Sequence, residues 1–76
     1  MAREQVTEIV AETAAKVLSV VVAPGDTVAF GDTVVLLESM KMEIPVIAEV
    51  PGTVWAVKVG RGDVVQEGDV LVELLR

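Results

Sequence analysis

A chain of 76 residues with a net charge of −6, twelve acidic side chains against six basic ones, has room for one small domain and the wrong sign for a phosphate-binding surface. It contains neither cysteine nor histidine, which removes disulfides, thiolate metal sites and the usual Ser-His and Cys-His nucleophile pairs. The 53% hydrophobic content, mostly Val, Leu, Ile and Ala with almost no aromatic residues, must supply the stability and favours strands over helices.

In chain order, residues 1–5 are polar and read as a loose N-terminus, followed by a single domain over 6–76. Val6–Ala11 alternates in part and is a first strand. Glu12-Thr13-Ala14-Ala15 is too short for a helix of its own and serves as a connection. Lys16–Val22 is a strand, Ala23-Pro24-Gly25-Asp26 a turn, Thr27-Val28 a very short strand, and Phe30-Gly31-Asp32 a second turn. Thr33–Glu38 then climbs to a short polar tip, and Ile44–Glu49 returns from it. Pro45 places that returning segment at a sheet edge. Pro51-Gly52 turns the chain into the strand Thr53–Val59, Gly60-Arg61-Gly62-Asp63 turns it again, and Val64-Val65 pairs briefly. After Gln66-Glu67-Gly68-Asp69, the segment Val70–Leu75 closes the fold. Alternation predicts Leu18, Val20, Val22, Trp55, Val57, Val59, Val72 and Leu74 facing inward. Ser19, Ala56, Lys58 and Glu73 should face outward, and Trp55 reads as a packing residue of the core or its rim.

This order repeats itself at a constant offset of 37 residues, the separation of Gly25 from Gly62. Ala11-Glu12 falls on Ala48-Glu49, Val17, Val20 and Val22 on Val54, Val57 and Val59, and Asp26 on Asp63. Val28 falls on Val65, Gly31-Asp32 on Gly68-Asp69, and Val35 and Leu37 on Val72 and Leu74. Two copies, neither able to bury its apolar face alone, should pack about a pseudo-twofold axis. The expected fold is all-β: a flattened barrel or sandwich of two antiparallel sheets. The Gly-Asp pairs are expected to hold their own turns, each carboxylate accepting a backbone N–H, in preference to gathering a metal. Gly60 and Gly62 precede no helix and make no phosphate cradle. Glu38, Glu43 and Glu49 read as solvated carboxylates, with no cleft to make a glycosidase pair of them.

Within the stretch Glu38-Ser39-Met40-Lys41-Met42-Glu43, the tip Met40-Lys41-Met42 lies between the copies and outside the repeat. A tight hairpin tip favours Asn-Gly or Gly-rich pairs, because positive φ is needed there. Met-Lys is poor turn chemistry by that standard, and a broken local rule marks a place to look for function. Taken alone, Lys41 reads equally as a solvated turn lysine beside two gap-filling methionines or as a feature that another molecule recognises.

Glu-Ser-Met-Lys-Met resembles the attachment motif of the biotinyl domains, a Met-Lys-Met core after a small residue. The resemblance runs from about Thr7 to Leu75 and implies the barrel-sandwich fold of that family. It implies covalent biotin on Lys41, with Ser39, Met40 and Met42, flanked by Glu38 and Glu43, recognised by biotin protein ligase and other partners. It further implies a non-catalytic carrier that shuttles carboxybiotin between biotin carboxylase and carboxyltransferase subunits, here expected as separate chains. Lipoyl domains share the fold but usually read Asp-Lys-Ala at the tip, which this sequence lacks. A lipoyl carrier and an unmodified scaffold protein are the alternatives. Two departures stand out. Val22–Asp26 passes without the protruding loop of some acyl-CoA carboxylase carriers. Ala14-Ala15 stands where the second half has Pro51-Gly52, so the local turn is expected to differ. No run is long enough to cross a membrane, and the first residues lack an apolar signal-peptide core, so a cytoplasmic, monomeric protein that binds no nucleic acid is expected.

Overall fold

A computed structural model describes residues 5–76. Most of the segment expected to be loose, residues 1–5, lies outside the described residues. Gln5, its last member, is tied down, its carbonyl accepting the Arg76 N–H at 3.1 Å.

Eight strands follow the repeat. They are β1 (Val6–Val10), β2 (Ala15–Val20), β3 (Thr27–Val28), β4 (Thr33–Ser39), β5 (Met42–Ile47), β6 (Gly52–Val57), β7 (Val64–Val65) and β8 (Val70–Leu75). They form two four-stranded antiparallel sheets, in the orders β1-β8-β6-β3 and β5-β4-β2-β7. Adding the repeat offset converts one sheet into the other, strand for strand, so the expected pseudo-twofold is realised. The sheets pack as a sandwich without closing into a barrel. Pro45 sits on β5, an edge strand, where its missing N–H leaves no ladder bond unmade.

The two halves are interleaved. β1 of the first half pairs with β8 of the second, and β5 of the second with β4 of the first. The short strands cross as well, β3 to β6 and β7 to β2. Buried positions come as mates: Val17 with Val54, Val28 with Val65, Val35 with Val72, and Leu37 with Leu74. Each such side chain removed from water contributes about 1.5–3 kcal/mol, and neither half could bury them alone.

Two inward assignments fail, and for one reason. In β2, Val17 faces Leu37 but Ser19 faces Leu36, leaving Leu18 as the extra residue of a β-bulge. In β6, Val54 faces Leu74 but Ala56 faces Glu73, leaving Trp55 in the mate position. A bulge reverses the side-chain parity. Val17 and Val54 therefore take the interior, Leu18 is only half-buried, and Trp55 stands 60% exposed on the outer face. Beyond the bulges the expected parity resumes, and Val20, Val22, Val57 and Val59 pack against the core. Val72 and Leu74 are fully buried, while Glu73 points outward, 4.0 Å from Lys58. A second symmetric pair of bulges explains consecutive buried residues. Val34 and Leu71 are the extra residues of β4 and β8, and both are sealed from solvent.

The four Gly-Asp turns are alike. Gly25, Gly31, Gly62 and Gly68 have φ of +91° to +96°, a conformation open to glycine at no steric cost. Each following aspartate accepts the N–H three residues back, from Ala23, Ala29, Gly60 and Gln66, at 2.8–2.9 Å. The carboxylates hold their own turns, as the sequence suggested. Each turn also grips the opposite half: Gly25 N–H donates to the Val54 carbonyl, and Gly62 N–H to that of Val17, both at 2.8 Å. The expected difference between Ala14-Ala15 and Pro51-Gly52 does not appear in the chain path. Both halves bend at matching residues, Glu12-Thr13 and Glu49-Val50, before β2 and β6 begin.

Candidate functional site

β4 and β5 are joined by two residues, Met40 and Lys41, with Ser39 and Met42 paired across the base of the turn. The tip is thus shorter than the Met40–Met42 turn expected from sequence, since Met42 already belongs to a strand. A two-residue connection of type I′ requires positive φ at both central positions. Met40 and Lys41 adopt φ of 53° and 66°, and they are the only non-glycine residues with positive φ among the described residues. Each such residue costs on the order of 1–2 kcal/mol. The strain persists because the ladder beneath it, Leu37 opposite Ile44 and Leu36 opposite Pro45, dictates where the two strands must meet.

Exposure at the tip is nearly complete. Met40 is 91% and Met42 64% accessible, and Lys41 is exposed between them. Among the described residues the Lys41 amine takes part in no ion pair. The remaining lysines are placed differently. Lys58 lies against Glu73, and Lys16 sits within β2 with Glu38 on one side and Val64 on the other. Below the tip, Glu38 and Glu43 are directly opposed on the outer face. Like charges in that relation repel. Ser39 is half-buried beneath the turn. The structure therefore gathers Glu38, Ser39, Met40, Lys41, Met42 and Glu43 into one protrusion.

The protrusion stands at the end of the molecule opposite the chain termini. β2 starts beside the tip, Lys16 facing Glu38, and runs away from it to Val20. The chain then reaches the 23–26 turn, which bonds to Val54, next to the pairing of Thr53 with Leu75 near the C-terminus. By the pseudo-twofold, the Gln5–Arg76 contact is the mate of the Ser39–Met42 pair.

What the fold and the protrusion define is a β-sandwich that displays, on a strained two-residue turn, an amine with no ion-pair partner among the described residues. A family model described as "Biotin-requiring enzyme" matches residues 5–74, so the chain belongs to the biotin/lipoyl attachment family. Among curated relatives, a protein of Mycolicibacterium smegmatis named "Biotinylated protein TB7.3 homolog" is 62% identical over 40 residues. Its Mycobacterium leprae counterpart is 60% identical over the same length. Those matches cover 53% of this chain and 56% of the relatives, so the chain spans about half the length of the curated relatives it matches. Among solved structures, Kluyveromyces lactis urea carboxylase superposes with a TM-score of 0.88 at 30% identity, over 97% of this chain and 6% of that one. The lipoyl domain of the 2-oxoglutarate dehydrogenase complex from Azotobacter vinelandii gives 0.69 at 27% identity, over 82% of this chain and 78% of that one.

Proposed function

We propose that Lys41 is the covalent attachment point for biotin and that residues 6–76 act as a carrier unit for a biotin-dependent carboxylase. One observation carries this reading: Lys41 occupies the second central position of the protruding turn, exposed and without an ion-pair partner among the described residues. A site of this kind fits the group. Attachment needs a free amine that can enter another enzyme's cleft, and the narrow hairpin brings nothing bulky with it.

The chain supplies position and no chemistry. Only an amine that has given up its proton is a nucleophile, so a biotin protein ligase must accept that proton and present an activated acyl donor. The ligase would grip the exposed Met40 and Met42 side chains, whose unbranched thioethers adapt to a partner's surface. The facing Glu38 and Glu43 would favour a basic neighbour on the ligase or on a carboxylase subunit. Attached there, the biotin group would supply the acceptor for a carboxylate, taken at a biotin carboxylase site and passed on at a carboxyltransferase site. The sandwich serves this by keeping the attachment point rigid and by raising the local concentration of the arm at both sites. The carboxylase relatives in structure support that setting, and the Met-Lys-Met tip favours biotin over lipoate.

Intact mass after incubation with ligase, ATP and biotin tests the proposal. One biotinyl increment is expected, mapped by peptide sequencing to Lys41. Lys41→Arg should lose it entirely with an unchanged circular dichroism spectrum, whereas Lys16→Arg and Lys58→Arg should load fully. Labelling retained in Lys41→Arg would show the site to be wrong. A lipoyl increment after incubation with a lipoate ligase, and none with biotin, would move the assignment to the lipoyl branch of the family.

A further inference from the structure

The free edges of β1 and β5 flank a groove of about 300 Å³. These strands are twofold mates, and each ends its own sheet, so the groove opens where the two layers part. Ile9, Leu37, Ile44 and Val46 supply apolar lining, with Glu12 and Thr13 among its polar residues. An apolar hollow with a few convergent polar groups has the make-up of a small-molecule site, at the lower end of the usual volume range.

The register shows which part of it lies near the tip. β1 runs from Val6, beside Leu75, to Val10, beside Val70, and continues through Glu12 and Thr13 into β2, where Lys16 faces Glu38. Glu12, Thr13, Leu37 and Ile44 therefore form the tip-side portion of the lining. Leu37 and Ile44 are cross-strand partners, and Ile44 is three positions from Lys41, at most about 10 Å along an extended chain. A lysyl stem of four carbons extended by an acyl chain spans that distance.

We propose that this groove is a resting site for the acyl group on Lys41: the ring of the bound biotin folds back onto the partly buried Ile44, above the core residue Leu37, and its ureido N–H groups donate to Glu12 or Thr13. The inference rests on the attachment point proposed above. The lining favours this occupant in two ways. Its charged side chains are all carboxylates, so it offers acceptors and no cation, which suits a neutral group bearing N–H donors. Pro45 on β5 has no N–H to donate, which blunts that edge against an added peptide strand. The tether does the rest. A short flexible link supplies an effective concentration in the millimolar range, so even millimolar affinity fills the groove about half of the time.

The test compares amide spectra of the apo protein and of protein loaded at Lys41 by the ligase. Shifts reaching Glu12, Thr13 and Leu37 are expected, beyond those at residues 39–43. Streptavidin should capture the arm about two- to threefold more slowly from the loaded wild type than from loaded Thr13→Trp, in which the indole fills the mouth, because capture scales with the free fraction. Shifts confined to 39–43, with equal capture rates, would overturn the resting site. Failure of the ligase to load Lys41 would overturn the attachment proposal alone. The groove is then tested with Lys41→Cys carrying either a biotin maleimide or N-ethylmaleimide: groove shifts with the biotin adduct only support the site, and identical spectra overturn it.

Discussion

Met40 and Lys41 are the residues at which this chain departs from the preferences of its own fold. Left-handed backbone at two consecutive non-glycine positions is a cost that the Gly-Asp turns avoid elsewhere in the molecule. The ladder beneath the tip holds that cost in place, and on the attachment proposed for Lys41 the side chains there would serve recognition in place of turning. Met40→Asn should relieve it, since asparagine tolerates this conformation. A gain of about 0.5–1 kcal/mol corresponds to a melting temperature roughly 3–6 °C higher for a chain this size, read by scanning calorimetry. The same variant should load biotin more slowly, through a raised KM for the protein substrate in ligase kinetics. A tip that became less stable on this change would show that Met40 is not strained. The anomaly was legible in the sequence, because Met-Lys is unsuited to a two-residue connection. The turn's length was not, since Met42 reads equally as turn or strand until Ser39 is seen opposite it.

At the scale of elements, the bulges decide what the strands present. Leu18 and Trp55 are apolar and sit in apolar runs, so simple alternation sends them inward. The extra residue in β2 and β6 turns them out and brings Val17 and Val54 in. No turn residue or proline announces a bulge of this kind, which is why the sequence concealed it. The repeat did announce that whatever happens at Leu18 happens at Trp55. Symmetry breaks at the start of β6. A Cβ added to Gly52 would lie 2.5 Å from the Leu75 carbonyl oxygen, on backbone that cannot swing aside. Its mate Ala15 carries a Cβ without difficulty and is buried. Gly52→Ala should therefore cost about 1–3 kcal/mol, and Ala15→Gly only about 0.5–1 kcal/mol, both measured by urea denaturation. Equal costs would mean that the close approach of β6 to β8 is not real.

For the whole molecule, the repeat spelled out the pseudo-twofold, and the hairpin read across the tip already joined β4 of one half to β5 of the other. Its mate, β1 with β8, and the crossings of β3 to β6 and β7 to β2 could not be read, because those strands are distant in sequence and each short strand fits either sheet by pattern. The exchange has a measurable result. Gln5 and Arg76 meet as Ser39 and Met42 do, two residues short of a closed hairpin. A circular permutant that joins Arg76 to Gln5 through Asn-Gly and opens between Met40 and Lys41 should fold, with an unaltered far-ultraviolet spectrum. It should no longer load biotin, because the bond that held Lys41 in its turn has been cut. A permutant that is unfolded would show that the two ends of the sandwich are not equivalent.

The meeting of Gln5 with Arg76 at the pole opposite Lys41 also fixes a stoichiometry. A lone copy of the repeat could cover its oily side only by pairing with its twin, and that pair would offer a handle at both poles. In the fused repeat one pole is given over to the backbone's entry and exit, and only the other carries a turn: with attachment at Lys41 as proposed, each copy of the domain would bear one label, set by connectivity.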